Sequence, residues 1–100
     1  MKLRILSSDY NDLADGQDFY DREIEGLGEY FLDSLFSDVD SLVLYGGIHR
    51  KVFGFHRALS KRFPYAIYYQ IETGNSLVIY RILDCRQNPK AIQKALKSTH

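Results

Sequence analysis

Residues 62–84 read Arg62-Phe63-Pro64-Tyr65-Ala66-Ile67-Tyr68-Tyr69-Gln70-Ile71-Glu72-Thr73-Gly74-Asn75-Ser76-Leu77-Val78-Ile79-Tyr80-Arg81-Ile82-Leu83-Asp84. Two runs rich in aromatic and β-branched residues flank Thr73-Gly74-Asn75. Such runs suit a pleated, half-buried surface, and a Gly-Asn pair readily supplies the conformations of a tight turn. The stretch therefore predicts a β-hairpin with strands over 64–72 and 76–84. In the second strand Leu77, Ile79 and Leu83 alternate with Val78, Tyr80 and Ile82. Both faces are then apolar, so this strand is expected to be covered on both sides.

The period changes on either side of the hairpin. Downstream, Pro89 suits the first turn of a helix over 89–98, with Ile92 and Leu96 facing the core and Lys90, Lys94 and Lys97 facing solvent. Upstream, residues 49–60 hold Val52, Phe53 and Phe55 among basic residues and predict a strand bent at Gly54. Before it, Phe31, Leu32, Leu35, Phe36, Val39, Leu42 and Val43 form a wide helical stripe over about 28–44. Tyr10, Leu13, Tyr20, Ile24 and Leu27 mark an earlier helix over 8–25, with Ser7 or Ser8 as N-cap and Gly26-Leu27-Gly28 as the turn between the two. Residues 2–7 predict a short strand. The order is β-α-α-β-β-β-α, which implies an α+β domain in which a helix hairpin packs beside a small antiparallel sheet.

Composition sets the outer bounds. A chain of 100 residues fits one domain over 1–100. Thirteen basic and thirteen acidic residues cancel, and the pI is about 6.8. The cancellation hides a split: residues 1–45 hold three bases against eleven acids, and residues 46–100 hold ten bases against two acids. A basic second half offers a binding face, although acidic helices packed against a basic sheet would leave the same pattern. The single Cys85 excludes an internal disulfide and a cysteine zinc site, which fits a reducing, cytoplasmic setting. No apolar run is long enough to cross a membrane, and the opening residues are too short for a secretory signal.

The chemistry inventory excludes several enzyme classes. No glycine pattern forms a phosphate loop. His49 and His56, seven residues apart on one expected strand, would face opposite ways and share no metal, and His100 is terminal. Asp12, Asp15, Asp18 and Asp21 recur every three residues and read as a solvated helix face. Cys85 reads as a small buried hydrophobe. The basic residues Arg57, Lys61, Arg62, Arg81 and Arg86, interleaved with Tyr65, Tyr68, Tyr69 and Tyr80, could place cations on phosphates and rings on bases. The competing reading is an aromatic core with snorkelling arginines.

Arg62-Phe63-Pro64-Tyr65-Ala66-Ile67-Tyr68-Tyr69, followed by a Gly-Asn turn and a strand ending in Asp84-Cys85-Arg86-Gln87-Asn88-Pro89, resembles the RelE/ParE superfamily of bacterial toxins. Phe19-Tyr20 resemble the aromatic positions of that family's first helix, and Gly26-Leu27-Gly28 its turn between helices. The resemblance implies the toxin of a type II toxin–antitoxin pair, with the growth inhibition and plasmid stabilisation such pairs bring. It implies a cognate antitoxin as partner, and gyrase or the ribosome and its mRNA as target, with no cofactor, metal or membrane. A RelE-type endoribonuclease would use Arg57, Arg62 and Arg86 as phosphate and transition-state cations. Lys61, Tyr68 and Tyr80 would then bind substrate. The nuclease pattern carries over in part only. Arg57 and Arg86 match retained cations, but Leu59 and Ala66 stand where two others belong, and residues 89–100 hold no tyrosine. These departures favour a protein target, or a degenerate toxin kept as an antitoxin-binding module, over efficient mRNA cleavage.

Overall fold

The computed structural model describes residues 1–98. In chain order the elements are β1 (Lys2–Ile5), α1 (Ser7–Glu23), α2 (Leu27–Tyr45), β2 (Lys51–Val52), β3 (Phe55–Leu59), β4 (Tyr65–Glu72), β5 (Ser76–Asp84) and α3 (Pro89–Lys97). His100 lies outside the described residues.

The β4–β5 hairpin forms where the sequence predicts it, with Glu72 opposite Ser76 across the turn. The five strands lie in the order β1-β5-β4-β3-β2. The expected antiparallel sheet is mixed: β1 runs parallel to β5, a pairing of the first and last strands of the chain. The strand expected over 49–60 is also corrected. Its centre is a tight turn, not a bend. Phe53 and Gly54 both take positive φ, 55° and 84°, and the chain folds back to pair Val52 with Phe55. Two left-handed residues in a row make the turn that matches strand twist, and Gly54 adopts that conformation without a Cβ penalty.

A second local feature resets the faces of β5. Tyr68 pairs with Arg81 while Tyr69 pairs with Ile79, so Tyr80 is an extra residue in the ladder. This bulge reverses the alternation beyond it. Leu77, Ile79 and Ile82 therefore share the core against the helix hairpin, and Tyr80 and Leu83 face the other way. The expected grouping of Leu83 with Leu77 and Ile79 fails for that reason.

The hairpin helices pack on one face of the sheet. Phe31, Leu35, Val39 and Leu42 of α2 and Leu13 and Tyr20 of α1 meet Ile67, Tyr69 and Ile79. On the other face Ile92 and Leu96 of α3 close over Ala66, Tyr68 and Leu83. Tyr10 and Val43, expected in the helical stripes, are exposed at their ends. Neither Ser7 nor Ser8 caps α1. Leu6 is the N-cap residue, and its N–H donates to the Asp9 carboxylate (2.8 Å), while the Ser8 hydroxyl donates to the Tyr80 carbonyl (3.1 Å).

Gly16 is where the two helices meet. A Cβ built there would sit 2.5 Å from Cζ of the buried Phe31. Phe31 is wedged among Tyr20, Phe63 and Tyr65 and has no room to yield. In an exposed helix Gly→Ala gains about 1 kcal/mol. Here overpacking reverses the sign, and Gly16→Ala is expected to lose about 1–3 kcal/mol net. A thermal melt decides it: an unchanged or raised Tm would contradict this close packing.

Candidate functional site

The residues proposed from sequence divide into separate neighbourhoods. Arg57 lies in the middle of β3 opposite Tyr68 of β4. Its guanidinium donates to Sγ of Cys85 (3.6 Å) at the end of β5. Burial pulls the Arg57 pKa down, but bonds to the Tyr68 hydroxyl and the Cys85 sulfur outweigh it and hold it above the ordinary range. Burial pushes the Tyr68 hydroxyl up, opposed by Arg57. Tyr68 is 1% exposed beneath α3, so the base-stacking role expected of it has no accessible ring face.

Arg86 follows directly on Cys85. It donates twice to Asp84, through Nε (3.0 Å) and NH2 (2.8 Å), and its guanidinium lies 5.9 Å from the centre of the Phe19 ring. The Arg86 bond holds the Asp84 carboxyl below its usual range. Two aromatic hydroxyls close this end of the sheet. Burial, then the charge of Asp84, pushes Tyr65 up to about 12, and burial also raises Tyr20. A cleft of about 240 Å³ opens beside them, bordered by Asp15, Tyr65, Asp84 and Gln87.

The other residues stand apart from this pair. Tyr80 donates its hydroxyl to Glu72 on the neighbouring strand and packs edge-on against Phe55, 5.3 Å between centres. Lys61 and Arg62 are exposed in the connection from β3 to β4, and Lys61 borders a second cleft beside α2. The structure thus sets Arg57 against Tyr68 and Cys85, turns Arg86 to Asp84 and Phe19, and leaves Lys61, Arg62 and Tyr80 elsewhere.

Arg81 leaves the set of phosphate cations. It makes a double bond pair with Asp12 of α1, Nε to Oδ2 and NH2 to Oδ1, both 2.7 Å. The same carboxylate accepts the Ile82 N–H (3.0 Å). Asp12 is therefore corrected from a solvated face to a buried ion pair that pins α1 onto β5. An arginine inside an apolar strand was the one available signal for a buried acid. Asp15, Asp18 and Asp21 do lie exposed, as expected.

The two histidines also differ from expectation. His49 lies in the loop before β2, not on a strand. Its Nδ1 meets the Tyr69 hydroxyl (2.5 Å), and the His56 ring stacks on Tyr69 with its Nδ1 donating to the His49 carbonyl (2.6 Å). Burial, then His56, lowers the His49 pKa. Among the described residues no group of three His, Cys, Asp or Glu is placed to hold a metal.

The arrangement offers positive charge but no group poised to move a proton at neutral pH. Arg57 and Arg86 supply positive charge, but Asp84 already neutralises Arg86. The hydroxyl nearest Arg57 is Tyr68, whose raised pKa makes it a poor base at neutral pH.

No family model matches the sequence, and no curated protein matches it. Among solved structures, a chain of the chromosomal ParDE TA system from P. aeruginosa is similar, with a TM-score of 0.72 and 23% identity over 82% of this chain and 92% of that one. The chain shares the fold of that ParDE chain. No helix among the described residues is long and apolar enough to cross a membrane.

Proposed function

We propose that this chain is the toxin of a bacterial type II toxin–antitoxin pair. A cognate antitoxin holds it inactive, and it acts in the cytoplasm on an essential target. The observation that carries the reading is the ParE-like fold built around the Arg62-Phe63-Pro64-Tyr65 segment. The proposed target is a protein such as gyrase, in preference to mRNA on the ribosome. Three features of the site support that preference. Ala66, where a RelE-like toxin places an arginine, is 0% exposed under α3 and could present no cation there. Leu59 is apolar where a second cation belongs. Arg86 is tied to Asp84. Each missing transition-state contact would cost roughly 2–4 kcal/mol of barrier lowering, so such a nuclease would be slow.

Induction of the chain alone in a bacterium is expected to arrest growth, and co-expression of the polypeptide from the adjacent reading frame is expected to restore it. Normal growth with abundant soluble protein would overturn the toxin reading. If that polypeptide still bound, the degenerate, antitoxin-binding module would take its place. Mapping of mRNA 5′ ends after induction is expected to show no new ribosome-dependent cuts. Cuts that disappear in Arg86→Ala would select the RelE-type nuclease instead.

A further inference from the structure

The loop that leads from α2 into β2 is fastened to the sheet at one side chain. Tyr69 of β4 is 0% exposed, yet its hydroxyl lies within hydrogen-bond distance of two groups of that loop. The Gly47 N–H donates to it (2.9 Å), and Nδ1 of His49 is 2.5 Å away. The phenol oxygen has one proton to give and, with Gly47 on one lone pair, needs an acceptor for it. Among the described residues His49 Nδ1 is the acceptor at hand, which fixes His49 as the neutral ring protonated at Nε2. His56 of β3 closes the arrangement. Its ring stacks on Tyr69 (5.0 Å between centres), and its Nδ1 donates to the His49 carbonyl (2.6 Å), a bond that either charge state of His56 can make.

We propose that His49 and Tyr69 form an acid-released latch, which holds residues 46–50 on the sheet while His49 is neutral and frees them when it takes up a proton. A proton on Nδ1 turns the one acceptor into a donor. The Tyr69 hydroxyl, already accepting from Gly47, then keeps its own proton unpaired in a buried site. No neighbour is placed to compensate the new charge. His49 faces His56 from β3, and the cleft it borders holds Asp38 and Tyr45 from α2 and Lys61 from the β3–β4 connection. Asp38 is engaged by the Ser60 hydroxyl (2.6 Å) and the Lys61 N–H (3.4 Å), and the next residues along the chain are Arg50 and Lys51. Burial, then His56, accordingly lowers the His49 pKa, so the latched loop binds this proton less tightly than the open one. The latch is therefore intact above the ordinary histidine pKa of about 6.5 and weakens as pH falls below it. Gly47 and Ile48, in the middle of the loop, are exposed and can leave without uncovering the core. Tyr45, Ile48 and His49 line the cleft beside α2, so opening the latch removes part of that wall. The device is independent of the toxin reading.

Amide hydrogen exchange of the full chain, followed by NMR, tests the latch. In the wild type the Gly47 protection factor is expected to fall about 10-fold between pH 7.5 and pH 5, within a ceiling of about 30-fold set by an open-loop pKa of about 6.5. His49→Asn keeps a carbonyl oxygen near the place of Nδ1 and does not titrate in this range, so its Gly47 protection is expected to stay within about twofold. Comparing the two proteins at each pH cancels titrations elsewhere, that of Asp9 included. A wild-type protection factor that does not fall, or an equal fall in both proteins, would overturn the latch. A second measurement needs no variant. The imidazole nitrogen shifts of wild-type His49 are expected to show an unprotonated Nδ1 at pH 7.5 and a titration midpoint below that of a free histidine. A protonated Nδ1 at pH 7.5, or an ordinary midpoint, would overturn the latch as well.

Discussion

An Asp12→Ala variant is expected to lose about 3–5 kcal/mol of stability and to melt on the order of 15–30 °C below the wild type. Asp12 is only 7% exposed, and it satisfies both the Arg81 guanidinium and the Ile82 N–H. Removing the carboxylate takes the counter-charge from a mostly buried guanidinium, which keeps its bond to the Ala95 carbonyl (3.3 Å), and strands a buried backbone donor. A domain of this size has roughly 5–15 kcal/mol in total, so the loss is a large share of it. The pair need not be a net stabiliser of that size. Burying two charges has its own cost, and a well-packed Asp12→Leu, Arg81→Met double variant is expected to be clearly more stable than Asp12→Ala. Asp15→Ala, one turn along on the exposed face, is expected to stay within about 0.5 kcal/mol of the wild type. A denaturant titration of the four proteins checks this. Equal stability of Asp12→Ala and Asp15→Ala would mean that α1 is not pinned through this pair.

The same residues show what could and could not be read from the sequence. The β4–β5 hairpin and the two long helices were legible because their apolar periods run uninterrupted and glycines punctuate them. The β2–β3 hairpin was not, because its turn places Phe53 in a conformation that a phenylalanine rarely adopts, so the segment reads as one strand. The bulge at Tyr80 has no signature at all: Val78, Ile79, Tyr80 and Ile82 fit either face, and the register is set by the bond partners on β4. Asp12 illustrates a different limit. An acid every third residue along a helix reads as a wet surface, and only the position of β5 in space shows that one member of the series is dry.

The candidate site divides in the same way. Arg57 and Arg86 could be named from their places in a recognisable strand pattern, and the fold gives them different partners, Cys85 and Tyr68 for Arg57, Asp84 and Phe19 for Arg86. What the sequence hid was their state: Asp84 two residues before Arg86 could be read as a hairpin-end acid, and it occupies the guanidinium. Tyr68 was legible as a strand aromatic but not as a buried one, since its cover comes from α3, more than twenty residues away. The cleft beside α2 is assembled from residues between 38 and 67 that lie on different elements, and no motif marks it.

Asp9 carries the second large prediction. Its side chain is 0% exposed, one oxygen accepts the Leu6 N–H, and the other has no partner among the described residues. Burial is the main reason that its pKa rises from 3.8 to about 7. The Leu6 bond opposes the rise, Asp12 adds to it and Arg81 opposes it. The folded state therefore holds this proton more tightly than the unfolded chain, whose carboxyl titrates near 4. Stability from this group is fully present below about pH 4 and is lost as pH climbs through 7, by up to about 4 kcal/mol at 1.4 kcal/mol per unit. Asp84 acts in a separate window, because its depressed pKa withdraws stability only as pH falls below the usual carboxylate range. Asp9→Asn removes the ionisable group and keeps an acceptor for Leu6. The variant and the wild type are expected to differ little at pH 4, where the carboxyl is largely protonated in both states. The variant should pull ahead by a few kcal/mol at pH 8, as read by urea unfolding at each pH. Parallel stability curves from pH 5 to 8 would show that the Asp9 carboxyl ionises in the folded protein as easily as in the unfolded chain. The buried end of α1 would then not be the dry, unpaired environment described here.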